Sequence, residues 1–135
     1  VMIDFDDSNF KTVLYWAKLT VKHHKLGGFI ILKSSENSYH VVFNRSVDWS
    51  ENMRIVAWVC LLSHKKGTQK YHLMQCIKQE STLRVSKKRQ KPKPRIVCRY
   101  GKQDDQIQGF LDYRKLIKRI IKKLETEQPQ MQKHA

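Results

Sequence analysis

The chain has 135 residues, the size of one ordinary domain, and with 40% hydrophobic residues it can bury a single core. Three scattered cysteines, Cys60, Cys76 and Cys98, exclude a disulfide framework and a paired CxxC zinc site. No apolar run approaches the roughly 20 residues needed to cross a bilayer, so the chain reads as soluble, cytoplasmic and without a membrane partner. The formal charge of +15 is too large for a solubility device and is uneven: residues 1–80 hold 11 Lys+Arg against 7 Asp+Glu, residues 81–135 hold 16 against 5. Nucleic acid, DNA or else RNA, is the partner this charge implies.

The chain opens on VMIDFDD, an apolar run closing on three carboxylates. In a strand, alternate residues share a face, so Asp4 and Asp6 project together while Ile3 and Phe5 enter the core. Ser8 is placed to cap a helix whose apolar residues Phe10, Val13, Leu14, Ala17 and Val21 follow the 3.6 period, ending near Lys25 ahead of Gly27 and Gly28. FIILK, SSENS and YHVVF then predict a hairpin from Phe29 to Phe43 with a five-residue connection. Asp48 or Ser50 starts a second helix through Met53, Val56, Ala57, Cys60 and Leu61. YHLMQCI, residues 71–77, reads as a fourth strand, which makes the order βαββαβ.

That order predicts an α+β fold with an RRM-like split antiparallel sheet, two helices on one face and the other face free for a ligand. TLRVS and RIVCRY add two expected strands around the basic loop KKRQKPKP, whose prolines discourage pairing. Asp104 or Asp105 caps a last helix with Ile107, Phe110, Leu111, Ile117, Ile120, Ile121 and Leu124 on one stripe and a basic opposite side. Residues 1–125 are expected to form the single domain and 126–135 a polar, disordered tail.

Two short motifs carry a resemblance. VMIDFD has the form of an acidic hhhDhD strand, and SYH places a serine and a histidine one residue apart at the start of a hairpin's second strand. In this order they resemble the archaeo-eukaryotic primase and primase-polymerase catalytic core, over roughly residues 1–90. The resemblance implies divalent metal, Mg2+ or Mn2+, on Asp4 and Asp6, and contacts from Ser38 and His40 to the phosphates of a nucleoside triphosphate, within a DNA-replication assembly of partner proteins. Nucleotidyl transfer needs two hard cations about 4 Å apart held by carboxylates, and Lys33, Arg84 and Lys87 are candidate triphosphate contacts. The family's third acid is displaced here: Lys78 and Gln79 stand where it is expected, and Glu80 is the nearest carboxylate.

Two other functions share this pattern. A non-catalytic RRM-type nucleic-acid-binding module, or an inactive primase relic, needs the basic surface but no metal. A rolling-circle replication initiator needs a pair of metal-binding histidines flanking one residue, and YHVVF has a single histidine. The basic residues assigned to phosphate are Lys88, Arg89, Lys91, Lys93, Arg95, Arg114, Lys115, Lys118 and Lys122.

Overall fold

Strand formation follows the alternation in the sequence, and register decides which side chains meet. The computed structural model describes residues 1–63, 66–78 and 93–133. They form β1 (Met2–Phe5), α1 (Phe10–His24), β2 (Gly28–Ser35), β3 (Ser38–Phe43), α2 (Trp49–Ser63), α3 (Lys66–Lys78), β4 (Arg95–Gly101) and α4 (Gln106–Lys133). The fold is α+β, with four strands among the described residues in the order β1-β3-β2-β4, each pair antiparallel.

One sheet face carries Ile3, Phe5, Phe29, Ile31, Tyr39, Val41 and Phe43 and packs against Val13 and Ala17 of α1 and Ile55, Val56 and Val59 of α2. The other face carries Ile30, Leu32 and Val42, and Ile107, Phe110 and Leu111 of α4 close over it. The sheet is therefore covered on both sides. This corrects the expectation of a free face: a stripe of apolar residues on the last helix needs a partner, and the second sheet face is the apolar surface it finds.

YHLMQCI is not a strand but lies in α3, which packs on α2 and against β1. Leu73, Met74 and Ile77 are exposed while Gln75 is buried, so the apolar residues of that run do not define a core face. A short apolar run suits either element, and here tertiary contact decided. The expected strand TLRVS lies outside the described residues.

The hairpin is tighter than its sequence suggested. β2 runs to Ser35 and β3 begins at Ser38, leaving Glu36 and Asn37 as the turn. Asn37 takes a left-handed φ of 55°, which asparagine tolerates better than most residues. Caps shift as well. Asn9, not Ser8, caps α1 by accepting from the Thr12 amide at 2.9 Å, while Asp48 caps α2 through the Glu51 amide at 2.8 Å. α4 runs on to Lys133, through residues 126–133 that were expected as disordered tail, and Thr126 donates to the Lys122 carbonyl within it.

Neither aspartate caps α4 alone. Asn44, buried just past β3, accepts from the Ile107 amide at 3.3 Å and donates to Asp104 Oδ1 at 2.8 Å, and its own amide donates to the Gly28 carbonyl at 2.9 Å. Gly101, at a φ of 68°, lies against Gly27 and Gly28, where a Cβ would strike backbone. Asn44→Ala is expected to cost about 1–3 kcal/mol, because it strands a buried amide of α4. Urea unfolding measures this, and a loss below about 0.5 kcal/mol, the range of an ordinary surface change, would show that Asn44 does not hold the helix.

Candidate functional site

Register places the residues of the two motifs. Asp4 pairs with His40 across β1 and β3, and His40 pairs with Leu32 across β3 and β2. Asp4, His40 and Leu32 thus share the face on which α4 packs, and by alternation Ser38 belongs to it too. His40 Nε2 lies 3.6 Å from Asp4 Oδ1, with His40 buried and Asp4 partly so.

The other expected members do not complete a site there. Asp6 follows the end of β1 and is partly exposed. Its carbonyl accepts from the Ser8 hydroxyl at 3.1 Å, the Ser8 amide donates to the Asn37 carbonyl at 2.9 Å, and Asp7 takes a left-handed φ of 52° between them. The acidic run is therefore a tight turn against the hairpin tip. Lys33 pairs with Tyr39 and falls on the opposite face from His40. Ser34 does lie near Ser38, donating to its carbonyl at 3.1 Å. Glu80, Arg84 and Lys87 lie outside the described residues.

Among the described residues no group of three or more His, Cys, Asp and Glu is placed to hold a metal ion. Asp4 and Asp6 are the right donor type for Mg2+ or Mn2+. On their own they do not make a two-cation centre, and the neighbouring imidazole engages one of them. The described residues thus do not fit the metal site that the two motifs imply.

The basic surface is better defined. Lys93, Arg95, Lys115, Lys118 and Lys122 are exposed. Lys88, Arg89 and Lys91 lie outside the described residues. Arg114 departs from its expected place on the solvated side of α4: it is buried, Nη2 donates to the Pro94 carbonyl, and burial pushes its guanidinium below its usual pKa. It anchors the chain entering β4 rather than waiting for phosphate. Its charge still acts on its neighbours. The Lys118 ammonium is held below its ordinary range, first by partial burial and then by Arg114, Lys93 and Lys115 around it.

Among the described residues no lysine or arginine stands within ion-pair distance of a carboxylate. Lys93, Arg114 and Lys115 act on Lys118 as like charges. A second basic surface was missed in the sequence. Lys11, Tyr15, Lys18 and Lys22 of α1 are all exposed, and their spacing of four, three and four residues puts them on one face. The signal was present, as the complement of the buried stripe Val13, Ala17 and Thr20.

No family model, no curated protein and no solved structure matches the chain.

Proposed function

We propose that this protein is a nucleic-acid-binding α+β module that grips the phosphate backbone of DNA or RNA without reading sequence. The observation that carries this is the set of exposed cations Lys93, Arg95, Lys115, Lys118 and Lys122, none of them within ion-pair distance of a carboxylate among the described residues, in a chain of net charge +15. Such a cluster raises its own energy by like-charge repulsion, and a polyanion relieves it. An RRM-like arrangement is supported over β1, α1, β2 and β3, whose order β1-β3-β2 is that of a split βαββ unit. The sheet face that such modules use for bases is taken here by α4.

A primase-like nucleotidyl transferase with Mg2+ or Mn2+, working beside replication proteins, is the second reading. One observation favours it: register brings Asp4, Ser38 and His40 to a single face. Against it stand the cover of α4 and the lack of a third metal ligand among the described residues.

Salt titration tests the first reading. If six to eight phosphates are neutralised, log affinity for duplex DNA should fall against log salt with a slope of roughly −5 to −7. Lys118→Glu with Lys122→Glu should flatten that slope by about two units and weaken every sequence alike. Affinity that ignores salt would refute a phosphate-led grip. Arg114→Ala should instead lower the melting temperature, as expected of a buried anchor.

A primer-synthesis assay with Mn2+ and labelled triphosphate separates the two readings. The binding module should make no product, and Asp4→Asn with Asp6→Asn should leave DNA affinity equal or higher, since repulsive charge is removed. Product that disappears in the double variant would establish the enzyme.

A further inference from the structure

Between α1 and β4 lies an open groove of about 490 Å³ lined by Tyr15, Lys18, Leu19, Val21, Lys22 and Tyr100. It is on the side of the sheet that carries α1, away from the Asp4–His40 face. Tyr15 is 58% exposed and Tyr100 is 42% exposed, a large outlay of aromatic surface for residues that a polar side chain could replace in water.

Both rings are braced from behind. Tyr100 stacks on fully buried Phe29 at 5.0 Å between centroids and 21° between planes. Tyr15 sits edge-on to Trp16 at 5.3 Å. A ring fixed by packing loses little freedom when a ligand lands on it. Lys18 Nζ lies 5.3 Å from the Tyr100 centroid, Lys22 lines the same groove, and Lys11 continues the line one helix face along. Lys11 to Lys22 spans about 16 Å. No carboxylate lines the groove.

We infer that this groove binds unpaired bases of a single-stranded nucleic acid, with a base stacked on Tyr100 or Tyr15 while Lys18, Lys22 and Lys11 follow the backbone phosphates. The inference rests on the nucleic-acid-binding reading above and adds strand selectivity to it. Flat aromatic faces beside flexible ammonium groups match the two surfaces of a single strand, which are π-faces and phosphates. A duplex offers only the second, because its bases are stacked on one another. The ammonium of Lys18 over Tyr100 marks where a base would lie, and the four-carbon stem lets it swing to a phosphate when one arrives.

Fluorescence anisotropy with three probes of equal length tests this: oligo-dT, an abasic single strand and a duplex. The protein should bind oligo-dT about tenfold tighter than the abasic strand, within the range that stacking of one or two bases provides. Tyr15→Ala should remove most of that difference and Tyr15→Phe should keep it. Tyr100→Leu provides a second variant, with thermal melts confirming that Phe29 remains packed. Equal affinity of the parent protein for oligo-dT and the abasic strand would overturn the groove while leaving phosphate-led binding in place. So would a Tyr15→Ala loss that is the same on both strands. Failure of all three probes to bind at low salt would overturn the nucleic-acid reading itself.

Discussion

The fold depends most on one buried amide. Asn44 ends β3, receives the first turn of α4 through Ile107 and Asp104, and bonds β2 through the Gly28 carbonyl. Around it Gly101 passes close to Gly27 and Gly28, so that β4 can leave the sheet and turn directly into α4. Gln103 closes the junction by donating to the carbonyls of Phe29 and Tyr100 at 3.0 and 2.9 Å. A side chain with both donor and acceptor is needed there, because a carbonyl-only or donor-only group would leave one partner unsatisfied in a buried place. Where α4 starts is fixed by this junction, and so is the sheet face that it covers.

That cover has a functional consequence. Once Ile107, Phe110 and Leu111 close over Ile30, Leu32 and Val42, the face that holds Asp4 and His40 is covered in part, with His40 buried and Asp4 half-buried. Burying a carboxylate is costly unless a polar group stands beside it, and His40 Nε2 lies 3.6 Å from Asp4 Oδ1. The same neighbourhood that looks like half of a metal site in the sequence is, in the fold, a partly buried carboxylate with an imidazole at ion-pair distance. The exposed cations stand at the perimeter instead, and among the described residues none of them is within ion-pair distance of a carboxylate.

Much of this was legible in the sequence, and the losses have specific causes. β1, the first hairpin, α1, α2 and β4 follow from period and turn signals, since those are local. The role of residues 71–77 was not legible, because seven residues with three exposed apolar side chains satisfy strand and helix equally. The face that Lys33 takes depends on the turn length: a two-residue turn pairs it with Tyr39, and parity does the rest. Arg114 could have been recognised. It stands seven residues after Ile107 and three after Leu111, on the helix face that packs, so its place among the solvated cations contradicted its own spacing. Which surface α4 would cover, by contrast, depends on Asn44 and Asp104, 60 residues apart, and no local pattern reports that.

β4 connects the two basic surfaces. At its start, Lys93 and Arg95 adjoin the α4 cluster, where Lys93 is one of the charges that hold the Lys118 ammonium below its ordinary range. Near its end, Tyr100 carries Lys18 of α1. Arg95, Val97 and Arg99 between them are exposed, and among the described residues β4 is the last strand in the sheet order. An edge strand left bare invites pairing with another chain, and arginines along it oppose that because two copies would repel. The same charges that keep the edge from its own kind make it attractive to a polyanion. A strand of nucleic acid crossing from the α1 groove to α4 would pass over this edge, meeting Tyr15 and Tyr100 at the α1 end and cations along the way. On the proposed reading, affinity and strand choice would reside in different residues: removing cations along the band would weaken binding to every nucleic acid, whereas Tyr15 and Tyr100 would distinguish an unpaired base from a paired one.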